Sequence, residues 1–437
     1  LKTIIFIGTN KSGSSREAVK AAEKMGYFTV VFTNREKQME QRVEYPDVHE
    51  MIFIESKDLS KFRAEIKKLL IRGIEIEAIV SFVDSYVYMA MILCNEFCKK
   101  ATYHEAIKIM ENKEQTRSFL KDQSYTPNFF IIKKGESVNV DFITSQFEFP
   151  LIIKSPKSTG SKDVLFAEKM EQLQKHIVKL QEKNPNESLV IEEYIDGNQY
   201  LVEAIVYQNK VHIIAIIEQE ITKNKRFIVT GYGIHAKPPY YLKVGIETVL
   251  HSIISQFGIQ NGALHLELRY TKSGWKLIEI NPRISGGAMN KMIQSAFGIN
   301  LVRETLQLYL GNKPSLIPQY NQYVFTQYLI VSRKGMLEKV TGRARARRSP
   351  GVVEVYVKPK RGSKLSPPLS MGHRYAYVIA VGDSMGEAKK NAKTAAKEIE
   401  FHLAPAQEIE ITITADQERS INTQEAEPIK QTNQEEG

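Results

Sequence analysis

The chain has 437 residues, 42% hydrophobic and 25% charged, which is enough apolar material for two or three packed units and excludes a disulfide-stapled miniature domain. No apolar run approaches the ~20 residues that span a bilayer, and the apolar segment 4–7 is too short for a signal-peptide core, so the expectation is a cytoplasmic protein away from membranes. The formal charge is +10; residues 415–437 hold six acids against two bases, so the remaining body carries +14, which predicts an anionic partner without naming its kind.

In chain order, the β-branched run 3–7 reads as a strand, followed by the turn 8–13 and by Ser14, three residues before Glu17 as in a capping box. Ala18, Ala21, Ala22 and Met25 recur at helical spacing up to Gly26. Residues 27–32, 51–54 and 78–83 read as three further strands, with a helix over Phe62, Ile66, Leu69 and Leu70. This alternation predicts a parallel α/β layer. Gly8 and Gly13 fall short of a dinucleotide fingerprint, because the third glycine is missing and no acid closes the second strand. Cys94 and Cys98, four apart in an apolar, helix-like stretch, read as buried thiols.

From about residue 101, helices over 104–110 and 113–121 lead to Thr126-Pro127, after which strands dominate: 129–132, 151–154, 163–166, 189–193, 202–207, 211–217, 265–270 and 275–280. Helices are expected near 240–257 and 288–297. Strands at 323–331, 352–356 and 373–381 and a helix over 386–400 follow, and 405–437 is polar enough to read as a disordered tail.

Three segments carry chemistry. In 262–287, two apolar strands each bring a carboxylate, Glu267 and Glu279, and Asn281 lies two residues beyond Glu279. Residues i and i+2 of a strand share a face, so these groups can converge on an all-oxygen site suited to Mg²⁺. Arg283 falls on that face if the strand continues, and Gly286-Gly287 opens a helix. The plain alternative pairs Glu267 and Glu279 with Arg269 and Lys276. In 150–164, Lys154 ends a buried strand ahead of a small, flexible run that includes Thr159, Gly160 and Ser161; a hairpin of this kind can approach phosphate oxygens, or simply be a hairpin with an exposed lysine. In 189–206, Glu192, Glu193, Tyr194 and Ile195 either line an adenine pocket or form an exposed turn.

In combination and order, these segments resemble the ATP-grasp superfamily, specifically its carboxylate–amine ligases and the L-amino-acid ligases of the biotin-carboxylase-like branch. The resemblance spans about residues 1–400 and includes ENKEQTRSFLKDQSYTPNFF and SPPLSMGHRYAYVIAVGDSMGEAKKNAKTAAKEIEF. It implies an α/β pre-domain (1–100), a two-part α+β ATP-grasp domain (101–320, with a nucleotide lid at about 125–197), a small C-terminal α+β subdomain (321–404) and the tail. It implies ATP and Mg²⁺, with Mn²⁺ as the alternative ion. Carried over by position, Lys113 and Lys154 touch phosphates, Thr159, Gly160, Ser161 and Lys162 form the lid, and Glu192, Glu193, Tyr194 and Ile195 form the adenine hinge. Glu267, Glu279 and Asn281 hold the metal, and Arg283 steadies the acyl-phosphate and tetrahedral intermediate. Asn112 stands where an aspartate is usual, and Gln199 replaces a ribose-binding glutamate. The implied reaction joins a small carboxylate to an amine, both expected to be amino acids, through an acyl phosphate with ADP release; by family analogy the protein is a homodimer. A bicarbonate-phosphorylating carboxylase relative is the rival enzyme. A nucleic-acid-binding protein is the rival of another class, suggested by TGRARARRSP, in which Arg343, Arg345 and Arg347 would share one face of a strand; no aromatic residues interleave there, so nucleic acid is not expected as a partner. His235 and His265 read as hydrogen-bonded structural histidines before substrate contacts.

Overall fold

The computed structural model describes residues 1–99, 105–156, 163–223, 227–368 and 370–404. Four strands open the chain, β1 (Lys2–Ile7), β2 (Phe28–Thr33), β3 (Glu50–Phe53) and β4 (Glu75–Val80), and pair in parallel in the order β3-β2-β1-β4. Their near-continuous apolar sequence follows from burial on both faces. Ile5, Ile7, Val30 and Phe32 pack with Phe62, Ile66 and Leu69 of the Leu59–Ile71 helix. The alternate residues Ile4, Phe6 and Val31 join Ala18, Val19 and Ala22 of the Ser14–Lys24 helix in the core shared with the rest of the molecule.

A second, antiparallel sheet contains β5 (Phe129–Ile132), β6 (Leu151–Lys154), β7 (Val164–Ala167) and β8 (Leu189–Glu193) in the order β5-β8-β6-β7. Leu173, Ile177 and Leu180, spaced four and three apart, turn one stripe of the Met170–Lys183 helix onto this sheet. The third sheet has eight strands: β9 (Asn198–Tyr207), β10 (Lys210–Lys223), β11 (Phe227–Ile234), β12 (Gly262–Thr271), β13 (Gly274–Asn281), β14 (Tyr323–Leu329), and then, past β15 (Gly335–Thr341), β16 (Val352–Val357) and, past β17 (Lys364–Leu365), β18 (Ala376–Gly382). Its order is β13-β12-β9-β10-β11-β14-β18-β16, so one sheet runs through residue 320 into the C-terminal segment. The pair β15 and β17 forms a small sheet with β19 (Glu400–Ala404).

Period-2 alternation assigns the faces of the long sheet. Val202, Ala204, Leu264 and Leu266 meet the Tyr240–Phe257 helix through Leu242, Ile246, Leu250 and Ile253. Leu201, Ile217, Tyr232, Ile234, Val324 and Tyr328 line the opposite face beneath Met289, Met292 and Ile293 of the Met289–Phe297 helix. That second face carries the polar groups described below.

Several expectations from sequence are corrected. Ser14 does not form a capping box: Gly13 is the N-cap, no side-chain cap forms, and the Ser14 hydroxyl instead donates to the Ser285 carbonyl at 2.6 Å. The arginine run forms a helix, Arg343–Arg348, so strand parity does not apply to it, and Arg345 pairs with Glu398 at 2.7 Å. The strand expected at 78–83 lies at Glu75–Val80, and that expected from 373 begins at Ala376 because Met371–His373 forms a single 3₁₀ turn. Cys94 is buried and Cys98 half-buried. The helix Leu301–Tyr309 and the strand β11 had no counterpart in the sequence reading. The tail 405–437 lies outside the described residues, among which no helix is long and apolar enough to cross a membrane.

Candidate functional site

The register between β12 and β13 sets Glu267 directly opposite Glu279 and His265 opposite Asn281, so all four project from one face. Like charges directly opposite each other on a sheet are destabilising unless a cation intervenes. The cross-strand ion pairs of the plain alternative do not form: Arg269 turns to Gln199, and Lys276 donates to the Ser124 carbonyl at 3.0 Å. Cationic groups surround the two carboxylates instead. Lys113 Nζ lies 3.2 Å from Glu279 Oε1. His265 Nδ1 lies 2.6 Å from a carboxylate oxygen of the fully buried Glu203, and its Nε2 lies 3.9 Å from Glu267. Burial pulls the His265 imidazole down, but the charge and hydrogen bond of Glu203, aided by Glu267, more than offset this and push it up to about 9. Burial would raise the Glu267 carboxyl, yet His265, Lys154 and Lys113 together hold it below the usual carboxylate range. Among the described residues no group of three His, Cys, Asp or Glu side chains is set for a metal. The facing pair with Asn281 is instead a two-carboxylate, one-amide oxygen set, the kind that holds Mg²⁺ together with waters and phosphate oxygens.

β13 accommodates one extra residue, Ile278, at a bulge, and its carbonyl accepts from Arg117 Nη2 at 2.8 Å. Arg117 also meets Glu192 at 2.8 Å, and Lys154 meets the same carboxylate at 2.6 Å. All three are almost sealed from solvent, with Lys154 6%, Glu192 2% and Arg117 3% exposed. Burial would raise the Glu192 carboxyl, but Arg117 and Lys154 drive it down to about 2, while burial pulls the Lys154 ammonium below its ordinary value. The Glu192 side chain thus holds a lysine and an arginine beside the metal-ligand candidates. Asn112 is the N-cap of the Lys113–Phe119 helix, accepting from the Gln115 amide at 3.1 Å, a task for which Asn and Asp serve equally.

At the hinge, the Glu193 and Tyr194 amides donate to the carbonyls of Asn128 at 3.1 Å and Pro150 at 3.0 Å. The Ile195 carbonyl accepts from Arg269, whose guanidinium lies 5.3 Å from the centre of the Tyr194 ring. Gln199 joins hinge and metal ends. Its amide donates to Glu267 Oε2 at 2.9 Å and its oxygen accepts from Arg269 at 3.0 Å. Thr159, Gly160, Ser161 and Lys162 lie outside the described residues; β6 and β7 pair from Leu151↔Ala167 to Lys154↔Val164 on either side of them.

The strand stops at Asn281, so Arg283 reaches the site from a loop, where it pairs with Asp84 of the first layer and donates to the Ile284 carbonyl at 2.9 Å. Ser285 donates its amide to Glu203 at 3.1 Å. The turn after β1 packs on this loop: Gly13 has φ +81°, and a Cβ there would come within 2.8 Å of the Gly287 nitrogen. His235 pairs with Glu218 at 3.2 Å, apart from this constellation. Sequence reasoning did not find Asp84, Glu203 or Arg117, and it read Arg269 as a partner of the carboxylates, whereas it binds Gln199 and the Ile195 carbonyl. A signal existed for Asp84, because groups just beyond the carboxyl ends of parallel strands line the crevice of an open α/β layer. The others are separated from their partners by 62 to 75 residues and become visible only with the register.

Comparison with known proteins gives the family context of the chain. Residues 147–291 match the ATP-grasp domain model, and residues 327–404 match that of the L-amino acid ligase C-terminal domain 2. The chain is 22% identical to the L-arginine-specific L-amino acid ligase of Bacillus subtilis over 70% of its own length and 75% of that protein's. It is 24% identical to dapdiamide A synthase of Enterobacter agglomerans, covering 54% of each, so it spans about half the length of that relative. The fold superimposes on the crystal structure of L-amino acid ligase from Bacillus licheniformis with a TM-score of 0.76 at 19% identity, covering 92% of this chain and 99% of that one.

Proposed function

Because the chain belongs to the ATP-grasp ligases and carries the C-terminal domain of L-amino acid ligases, we propose that it joins the carboxylate of one amino acid to the amine of another, forming an acyl phosphate and releasing ADP. The observation that carries this reading is the facing pair Glu267 and Glu279, with Asn281 on the same face and Lys113, His265 and Lys154 around them. Mg²⁺ held by Glu267, Glu279 and Asn281 would offset phosphate charge and align the terminal phosphoryl group.

Lys113 and Lys154 add point charges for the phosphate oxygens, and Glu192 with Arg117 keeps Lys154 in place. Glu193, Tyr194 and Ile195 receive the adenine edge. Gln199 acts less on ribose than on Glu267, which it hydrogen-bonds. The donor carboxylate attacks the γ-phosphorus, an oxygen–phosphorus bond forms, and ADP leaves. The amine nitrogen then attacks the acyl carbon, the carbon–oxygen bond to phosphate breaks, and the surplus proton leaves with inorganic phosphate. Arg283, oriented by Asp84, faces the oxyanion of that second step. In domain terms, the nucleotide lies between the second sheet and the long sheet, and residues 1–100 and 321–404 close the substrate side.

Incubation with ATP, Mg²⁺ and a pool of amino acids, followed by mass spectrometry, tests the proposal. ADP together with a new dipeptide mass is expected. ADP release that requires bicarbonate, or AMP as the nucleotide product, would overturn it.

A further inference from the structure

Three strands from Glu267 across the same face of the long sheet lies a guanidinium to which the described residues bring no counter-ion. Arg374 sits 3.9 Å from the centre of the Tyr328 ring and 5.5 Å from that of Tyr232. Its hydrogen bonds go to neutral oxygens: the carbonyls of Met371 at 3.2 Å and Val229 at 3.4 Å, and the Tyr232 hydroxyl at 3.2 Å. Among the described residues no Asp or Glu pairs with it. A partly buried charge without an anion is costly, and with Nε and Nη1 engaged by neutral oxygens the guanidinium keeps Nη2 for a carboxylate or phosphate oxygen.

A second group without a partner lies between Arg374 and the metal end. Gln219, on β10, stands directly opposite Tyr232 of β11, and its side-chain oxygen is buried with no hydrogen bond. On the other side, β10 pairs with β9, whose Gln199 is bound to Glu267. The order along the face is therefore Glu267, Gln199, Gln219, Tyr232, Tyr328, with Arg374 over the last two. Glu267 lies in the row of Leu201, Ile217 and Ile234, so three strand spacings and an offset of two residues put Tyr232 about 16 Å from it, room for an acyl phosphate and one amino acid end to end. The Arg283 loop borders this space: a Cβ on Gly287 would lie 3.7 Å from the Tyr328 hydroxyl, and Ser285, only 7% exposed, has a hydroxyl oxygen with no partner.

We propose that Arg374 and Gln219 form the acceptor subsite, with Arg374 binding the carboxylate of the amine substrate and the Gln219 side-chain oxygen receiving its amino group. The acceptor is then an α-amino acid, held with its nitrogen toward the acyl carbon, and a plain amine is a poor substrate. This inference rests on the ligase reading above.

The test supplies the protein amino acids as donors and compares three acceptors: the same amino acids, the matching decarboxylated amines, and hydroxylamine, a small neutral trap for an acyl phosphate. The wild type is expected to favour amino acids over the decarboxylated amines by at least tenfold; equal use overturns the proposal without any variant. Arg374→Ala should raise the KM for the acceptor amino acid at least tenfold and lower the ratio of dipeptide to hydroxamate to a similar extent. Arg374→Lys should recover part of this, since it keeps the charge and loses the fork. Gln219→Leu should likewise raise the acceptor KM. An unchanged acceptor KM in Arg374→Ala, or a rise in the donor KM instead, refutes the assignment. Should Arg374→Ala fail to fold, the Lys variant and the wild-type amine comparison decide. A wild type that forms no hydroxamate from any donor brings down the ligase reading, and this inference with it.

Discussion

Glu192→Gln removes the charge that holds two buried cations, at 2.6 Å from Lys154 and 2.8 Å from Arg117. In the folded chain the Glu192 carboxyl falls from 4.5 to about 2. A shift of this size corresponds to about 3 kcal/mol favouring the folded state, in line with the ~3 to 5 kcal/mol typical of breaking a buried pair from one side. Because the folded-state value lies below the unfolded one, the contribution is complete above pH 4.5 and is lost as the pH falls toward 2. Urea unfolding followed by circular dichroism at neutral pH should therefore show the variant less stable by about 3 kcal/mol, with the gap to wild type narrowing below pH 4.5. The loss should concentrate in the second sheet, where Lys154 ends one strand and Glu192 is the penultimate residue of another. A difference below about 1 kcal/mol, or a gap that stays constant into acid, would refute the reasoning.

Other substitutions read different parts of the account. Glu279→Ala and Glu267→Ala should each lower ATP turnover by about a hundredfold or more while leaving the melting temperature near wild type; activity within threefold of wild type would remove them from the metal site. Gly245 lies in the Tyr240–Phe257 helix, and a Cβ there would meet Trp275 Nε1 at 2.0 Å. Gly245→Ala gains about 1 kcal/mol of helix propensity but forces apart a packed contact costing about 1 to 3 kcal/mol, so the balance tips toward destabilisation. The change should also shift the fluorescence of Trp275, the single tryptophan, and an unshifted spectrum would contradict the contact. Gly13→Ala should cost about 2 kcal/mol, since φ is +81° and the new methyl would meet the Gly287 backbone. Calorimetry checks this, and an unchanged melting temperature would show that the turn does not pack on the Arg283 loop.

Sequence made legible what depends on local pattern. Parity alone places Glu279 and Asn281 on one face, and the shared apolar character of β12 and β13 makes them neighbours, so the oxygen set could be anticipated before the register was known. The parallel first layer followed from alternating strand and helix periods for the same reason. Local pattern failed where a distant group competes. Ser14 has a capping-box sequence, yet its hydroxyl serves Ser285, 271 residues away. Glu192 sits in a segment that reads as a hinge, but alternation turns its side chain inward to Lys154 and Arg117. The arginine run 343–348 had no apolar periodicity to separate helix from strand, and Gly342, in the left-handed region with φ +79°, starts the helix. The eight-stranded sheet was hidden for a related reason: β14 pairs with β11 and β18, and β18 with β16, across separations that no single segment encodes.

The central claim is that a carboxylate oxygen is transferred to phosphorus before the amide forms. Amino acids labelled with ¹⁸O in the carboxylate, incubated with the protein, ATP and Mg²⁺, test it through the mass of the inorganic phosphate released. Acyl-phosphate chemistry gives ADP and phosphate carrying one ¹⁸O atom for each amide made. AMP with pyrophosphate, or ADP with unlabelled phosphate, would contradict it.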